Sequence, residues 1–191
     1  MLSIPLARCR QLPAAALAGK VVLDTMNYAP FRDGTFEDLD SGRITTGELV
    51  QEHLVGAKLV KAFSGINDQH APALARPEGA ADRSALPIAG HDEEAKASAA
   101  ALVSRLGFDT VDAGPLAESW RFDPETGPFV APYFTEPDTL RAVWAKLGKE
   151  IRSGGPIRTA PLVDPGVPLP AHRLRTLLAE TPRKLTADRL V

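Results

Sequence analysis

The sequence lacks several features that would quickly assign it to a class of proteins. It has one cysteine, Cys9, so no internal disulfide can form, and a reducing compartment is expected. No apolar run approaches the roughly 18 residues that a membrane-spanning helix needs. The first residues include Arg8 and Arg10, but no apolar stretch and cleavage site follow them, which argues against a secretory signal. We therefore expect a cytoplasmic protein that does not bind membranes.

The sequence also has little net charge and lacks the binding motifs of metals and of dinucleotides. The formal net charge is −2, whereas a nucleic-acid-binding domain needs a basic surface, so no nucleic-acid partner is expected. The four histidines do not show the spacing of metal ligands, and we predict no metal site. No two glycines are separated by a single residue. The Gly-x-Gly-x-x-Gly turn that binds a pyrophosphate at a helix N-terminus is therefore absent.

The residues that are present predict an alternation of strands and helices. A chain of 191 residues, 44% of them hydrophobic, can bury the core of one domain. Short apolar segments predict strands at 20–24, 58–63, 85–89 and 108–112. Thr45 and Glu48 have the spacing of a capping box, and an acidic 92–94 segment opens a second helix. The order predicts an α/β fold with a mostly parallel sheet flanked by helices. Pro87 predicts that the third strand lies near a sheet edge, because proline cannot donate to a ladder.

The ends of these strands are the candidate ligand site. In open α/β sheets, ligands bind at the carboxyl ends of the strands. Small and polar residues stand at three such ends, 24–27, 63–67 and 112–115. Small residues allow a close backbone approach, and Asn, Ser and Thr offer donors and acceptors. Every α/β protein has polar strand ends, so the pattern alone leaves a ligand site and an ordinary set of strand ends equally open.

Four segments together resemble one family. They are VVLDTMNY at 21–28, LVKAF at 59–63, LPIAGHD at 86–92 and VDAGPL at 111–116. In this order they resemble the F420-dependent NADP reductases and their bacterial relatives, a family of dinucleotide-binding oxidoreductases, over roughly residues 2–133. The resemblance implies a Rossmann domain that binds NADP and a hydride transfer between the nicotinamide and coenzyme F420. That reaction needs two stacked rings and no side-chain acid or base, so no catalytic residue is predicted.

The resemblance also implies which residues bind the cofactor. The first group, at 25–27, ends the strand that faces the nicotinamide ribose. The second group, at 64–68, lies in the loop that touches the nicotinamide and F420 rings. The third group, at 114 and 115, closes the floor of the pocket. The family tends to have His or Asn where this chain has Ser64. The cofactor-binding residues implied in these three groups are Thr25, Met26 and Asn27, then Ser64, Ile66 and Asp68, then Gly114 and Pro115.

The chain departs from the family pattern at its start. Family members begin with a strand and the glycine-rich turn, whereas the resemblance here begins inside what would be their fourth strand, near 3–6. We therefore expect an N-terminally truncated domain in which strand 20–24 lacks neighbours on one side and can recruit a partner. Three functions remain open: an NADP-dependent oxidoreductase impaired by loss of the glycine loop, a non-catalytic remnant or interaction module that pairs through the open edge, and an unrelated α/β domain for a small ligand without phosphate.

The domain organisation follows from the same pattern. We predict a partial Rossmann-like NAD(P)-binding domain over 1–122 and an extension over 123–152 with one helix from 138 to about 151. The segment 153–191 is rich in Pro and Arg, which predicts a disordered tail with a short helix around 174–179. The expected partner is a small-molecule cofactor or substrate, NADP with coenzyme F420 as a second candidate. The resemblance leaves a homodimer open.

Overall fold

A computed structural model describes residues 1–138 and 164–183 of the chain, and the structural statements below concern these residues. The strands are β1 (Val21–Asp24), β2 (Lys58–Lys61), β3 (Ala85–Gly90) and β4 (Asp109–Asp112). The α-helices are α1 (Ala14–Leu17), α2 (Pro30–Asp33), α3 (Glu37–Asp40), α4 (Thr46–His53), α5 (His70–Leu74), α6 (Glu93–Arg105) and α7 (Ala171–Glu180). Short 3₁₀ helices occur at Leu6–Gln11, Leu116–Phe122 and Ala131–Tyr133. Within this part of the chain, no helix combines the length and the apolar character that crossing a bilayer requires.

The four strands form one sheet in the order β1-β2-β3-β4. β1 and β2 are parallel, β3 and β4 are parallel, and β2 and β3 are antiparallel. The predicted α/β fold with a mostly parallel sheet and flanking helices is therefore confirmed. The two parallel pairs run in opposite directions, and the carboxyl end of β3 lies beside that of β2, because Gly90 pairs with Val60 and Ala89 with Lys61.

Local hydrogen bonds explain where helices α4 and α6 begin. The Thr45 hydroxyl accepts the N–H of Glu48 at 3.2 Å, and the Glu48 carboxylate accepts the N–H of Thr45 at 2.8 Å. This confirms the predicted capping box at the start of α4, the crossover helix between β1 and β2. At α6, the Asp92 carboxylate accepts the N–H of Ala95 at 2.8 Å and satisfies one of the free donors of the first turn.

The position of β3 corrects one prediction. β3 is an inner strand, so the expectation that Pro87 lies near a sheet edge is wrong. The ladder between β2 and β3 consists of two pairs at Gly90 and Ala89, and it ends before Pro87. At the start of β3, later segments of the chain make the hydrogen bonds: the Ala85 N–H donates to the Leu169 carbonyl at 2.7 Å, and the Tyr133 hydroxyl donates to the Ala85 carbonyl at 2.6 Å. Pro87 therefore occupies a position that the short β2 ladder does not reach.

The C-terminal segment 164–183 is part of the core. Leu169, Leu174 and Leu178 are buried in a cluster with residues of β3, β4 and the segment around Tyr133. The short helix predicted around 174–179 is confirmed as α7, whereas the predicted disorder is wrong for 164–183. The helix predicted from 138 to about 151 lies outside the described residues except for its first position. The domain division at 122 and 152 stays a prediction.

The N-terminal segment packs on the outer edge of β1. The Leu2 N–H donates to the Leu23 carbonyl at 2.7 Å, and the Thr25 N–H donates to the Leu2 carbonyl at 3.0 Å, which forms a single parallel bridge. The side chains of Leu6 and Cys9 are buried in the cluster below β1. β1 is an edge strand of the sheet, and among the described residues this bridge is the only backbone pairing on its outer edge.

Candidate functional site

A cavity of about 420 Å³ lies at the carboxyl ends of β1 and β2. This is the place where ligands bind in open α/β sheets. The residues that line the cavity are Met1, Ser3, Thr25, Asn27, Phe63, Ser64, Ile66, Asp68, Ala71 and Leu106. Five of the eight predicted cofactor-binding residues are in this lining: Thr25, Asn27, Ser64, Ile66 and Asp68. Residues that are far apart in sequence are thus brought to one concave surface.

The other three predicted residues do not line this cavity. The Met26 side chain is buried in the core below β1. Gly114 and Pro115 follow β4, which runs opposite to β1 and β2, and the Gly114 carbonyl accepts the N–H of Gly90 at 3.0 Å near the carboxyl end of β3. Gly114 thus lies beside the carboxyl end of β3, and the implied role of these two residues at the pocket floor stays a prediction.

Two buried polar atoms in the cavity wall have no hydrogen-bond partner among the described residues, Asn27 Oδ1 and Ser64 Oγ. The Asn27 amide nitrogen donates to the Ser64 carbonyl at 2.8 Å, which holds the two residues together across the ends of β1 and β2. The Thr25 hydroxyl is engaged, because it donates to the Leu2 carbonyl at 2.9 Å. An unpartnered buried polar atom costs about 1–3 kcal/mol. Asn27 and Ser64 therefore each carry hydrogen-bonding capacity that the described part of the chain does not use.

Phe63 forms part of the cavity lining with an unusual backbone conformation. Its φ of 58° lies in the left-handed region, which costs a non-glycine residue about 1–3 kcal/mol. The Phe63 ring packs edge-on against Phe108 with ring centroids 6.2 Å apart. Such conformations persist where the surroundings enforce them, and they are concentrated at binding and active sites. Phe63 directly precedes Ser64, in the segment that leads from the end of β2 to the cavity.

A buried ion pair lies behind the cavity. Asp24 and Lys61 are opposite each other at the ends of β1 and β2, and both are fully buried. The Lys61 ammonium is 3.7 Å from Asp24 Oδ2 and donates to the Met26 carbonyl at 2.5 Å. The second Asp24 oxygen accepts the N–H of Met26 at 2.8 Å. Buried charges are retained where they are paired and hydrogen-bonded, and breaking such a pair is strongly destabilising.

A second carboxylate completes this cluster of buried charges. Asp123 Oδ1 is also 3.7 Å from the Lys61 ammonium, and Asp123 Oδ2 accepts the hydroxyl of Thr46 at 3.1 Å. One ammonium thus faces two carboxylates, and the inner oxygens Asp24 Oδ2 and Asp123 Oδ1 have no hydrogen-bond partner in the described part of the chain. Burial raises the pKa of Asp24 above its ordinary value, against the opposing effect of the Lys61 charge. We call Asp24, Lys61 and Asp123 the charge cluster.

The sequence analysis did not identify the charge cluster. A lysine within an apolar strand and an acid at a strand end were visible signals, but either side chain can also point to solvent. Asp123 belongs to a segment after β4, and only the tertiary fold brings it to the end of β2. No local spacing predicts that contact.

The raised pKa of Asp24 has a direct consequence for stability. Because the folded protein holds this proton more tightly than the unfolded chain, the free energy of unfolding is expected to fall as the pH rises from the ordinary pKa of 3.8 to the higher folded-state pKa. Asp24→Asn cannot titrate and lacks this contribution. Urea unfolding of both proteins from pH 3.5 to 8 measures the difference. Curves that stay parallel over the whole range would show that Asp24 titrates normally.

His70 attaches the helix beside the cavity to the C-terminal segment. Its ring is 1% exposed, and Nε2 lies 3.1 Å from the Asp164 carbonyl oxygen. The ring packs against Phe134 with centroids 4.3 Å apart. The Asp164 carboxylate accepts the N–H of Gly166 at 2.8 Å. These contacts fix α5, whose residue Ala71 lines the cavity.

The solved structures that resemble this chain include the two described here. No family model and no curated protein matches the chain. The crystal structure of the hypothetical protein SMa0349 from Sinorhizobium meliloti is 33% identical, with a TM-score of 0.53 over 68% of this chain and 62% of that one. A protein of Arthrobacter sp. FB24, provisionally described as an F420-dependent NADP reductase, is 25% identical, with a TM-score of 0.45 over 75% of this chain. At that TM-score a shared fold does not follow from the superposition. The chain spans 62% and 57% of the lengths of these two proteins.

Proposed function

We propose that the cavity at the ends of β1 and β2 holds the nicotinamide ring of NADP, and that the chain takes part in hydride transfer by an oxidoreductase of the F420-reductase type. The proposal is supported by the four ordered segments that resemble this family. It is further supported by the position of the cavity, which collects five residues that the resemblance implies as cofactor contacts.

The observation that carries the proposal is the pair of unpartnered polar atoms on Asn27 and Ser64. A nicotinamide carboxamide has an NH₂ group that donates and a carbonyl oxygen that accepts. Asn27 Oδ1 is an acceptor, and the Ser64 hydroxyl can donate, so the two residues match both halves of the carboxamide. In a wall that otherwise includes Phe63, Ile66 and Leu106, these two bonds would orient the ring.

Hydride transfer requires few further functional groups from the protein. In hydride transfer the cofactor supplies the reactive carbon, and the protein holds two rings at the correct distance and excludes water. The apolar residues of the cavity suit that task, and the second ring, coenzyme F420 or another acceptor, would lie against the nicotinamide at the open side. The 191 residues contain no Gly-x-Gly-x-x-Gly turn, so we expect this chain by itself to bind NADP weakly.

A nucleotide fragment tests the proposal without the phosphate-binding loop. Nicotinamide mononucleotide is titrated into ¹⁵N-labelled protein, and Asn27→Ala and Ser64→Ala are each expected to raise the dissociation constant about five- to tenfold, the equivalent of one hydrogen bond. Nicotinic acid mononucleotide, which has a carboxylate in place of the amide, is expected to bind more weakly than the amide.

The matched control is Ser98→Ala, an exposed position on α6, and it is expected to leave the dissociation constant unchanged. Equal affinity for the amide and the acid, or equal affinity in all variants, would contradict the nicotinamide site. Micromolar affinity for NADPH would contradict the expected weak binding of the cofactor's phosphates.

A second candidate function is an interaction module that pairs through the outer edge of β1. It is favoured by the single bridge at Leu2 and by Val21, which is 40% exposed on that edge. Uncovered strand edges can pair with another chain. A mass measurement in solution separates the candidates, because edge pairing requires a complex and ring binding does not.

A further inference from the structure

The charge cluster holds the segment that forms the cavity wall. Both backbone groups of Met26 are bonded to it: the N–H donates to Asp24 at 2.8 Å, and the carbonyl accepts from Lys61 at 2.5 Å. Thr25 and Asn27, the residues on either side of Met26, both line the cavity. The cluster itself is fully shielded from solvent at Asp24 and Lys61 and does not line the cavity.

Lys61 also belongs to the strand that leads to Ser64. Its backbone is at the end of β2, and its side chain reaches across to the end of β1. Beyond these ends, the Asn27 amide donates to the Ser64 carbonyl at 2.8 Å. Two side-chain hydrogen bonds therefore connect the ends of β1 and β2. One is donated by the buried Lys61 ammonium, and the other by Asn27, the residue that would contact a ligand.

We propose that Lys61 is a positioning residue of the cavity, because its bond to the Met26 carbonyl sets where Asn27 places its amide oxygen beside Ser64. This inference rests on the proposed function for its ligand, and its geometry stands on the contacts of the chain itself. A role in stability alone does not require a lysine, since an apolar side chain of similar length with neutral neighbours fills such a space at least as well. The lysine provides a directed donor that points at one carbonyl.

The test compares two variants in neighbouring positions of β2. Lys61→Met keeps the length of the side chain and removes the donor. Val60→Ala removes buried volume at a fully buried residue and leaves the Met26 carbonyl bonded. Both are studied at a temperature where each is folded. Lys61→Met is expected to weaken binding of nicotinamide mononucleotide about tenfold, as for a displaced contact, and Val60→Ala less than about twofold.

The side-chain amide of Asn27 gives a readout that needs no ligand. In Lys61→Met, its ¹⁵N–¹H signals are expected to shift and to exchange faster with solvent, because the bond to the Ser64 carbonyl loosens. In Val60→Ala these signals are expected to stay in place. If the unmodified protein does not bind the mononucleotide, the proposed function is overturned, while the amide signals still decide whether Lys61 positions Asn27.

A third variant covers the case in which Lys61→Met does not fold. The double variant Lys61→Met, Asp123→Asn removes one of the two carboxylates that the single change leaves without a counter-charge, and it is scored by the same two measurements. Lost affinity with displaced Asn27 signals supports the positioning role. Unchanged affinity and unchanged signals in a folded variant that lacks the lysine overturn it.

Discussion

Replacing Arg83 with methionine is expected to lower the free energy of unfolding by about 3–5 kcal/mol, because buried carbonyls that lose their donor cost about 1–3 kcal/mol each. The Arg83 side chain is 3% exposed. Its guanidinium donates to the carbonyls of Arg76, Ser104 and Phe108 at 2.6–2.9 Å and to the Asp109 carboxylate at 2.8 Å. Methionine fills much of the volume but leaves the carbonyls of Arg76 and Phe108 without this donor, and a buried unsatisfied carbonyl is costly. The Ser104 carbonyl still accepts the N–H of Gly107 at 3.0 Å.

The matched control for this prediction is Asp109→Asn. The Asp109 side chain is 51% exposed, so its ion pair with Arg83 is screened by solvent and its loss is expected to cost about 0–1 kcal/mol. Urea unfolding followed by circular dichroism measures both variants. An equal cost for the two changes would mean that the ion pair, and not the buried carbonyls, determines the role of Arg83.

The Arg83 network also bears on the candidate site. It holds the end of α6 at Ser104, two residues before Leu106, which lines the cavity. It also holds the loop around Arg76 against the beginning of β4. The wall of the cavity at Leu106 therefore depends on a residue that does not line the cavity.

Replacing Leu174 with alanine is expected to cost about 2–5 kcal/mol, the range for truncating a buried leucine. Leu174 is fully buried on α7, in the cluster that contains Phe122 and Tyr133. The cost follows from lost apolar contacts and from the cavity left behind. The expected result is one cooperative unfolding transition at a lower urea concentration, because α7 shares a core with β3 and β4.

The control for Leu174 is Arg175→Ala, the next residue on α7 with an exposed side chain. A surface change of this kind is expected to stay within about 0.5 kcal/mol of the unchanged protein. Leu174→Ala with the same midpoint as this control would show that α7 does not contribute to the core. Two separate transitions would show that it unfolds apart from the sheet.

Local signals in the sequence predicted the elements of the fold well. The capping box of Thr45 and Glu48 works through bonds between residues three apart, so it is visible without tertiary structure. The apolar segments of β1 to β4 are likewise local patterns, and the alternation of strands and helices was enough to predict an α/β sheet. The same holds for the candidate residues Asn27 and Ser64, which follow strands that share one direction.

Predictions failed where a contact depends on the direction of a strand or on a distant segment. Composition suggested a disordered tail, yet Leu169, Leu174 and Leu178 are buried because a hydrophobic surface of β3 and β4 is available to cover them. Pro87 suggested an edge strand, but a two-residue ladder allows a proline in an inner strand. Neither fact can be derived from the residues next to these positions.

Local sequence patterns were enough to predict the class of fold, the start of α4 and the polar residues at the ends of β1 and β2, because each depends on neighbours within one or two turns of chain. The direction of β3 and β4 is visible only in the folded molecule: both run opposite to β1 and β2, and Gly90 at the end of β3 pairs with Val60 near the end of β2. The contact between Asp123 and Lys61 likewise depends on the fold. Packing among distant segments sets both the direction of strand pairing and the burial of charge, and its free energy is a property of the whole core.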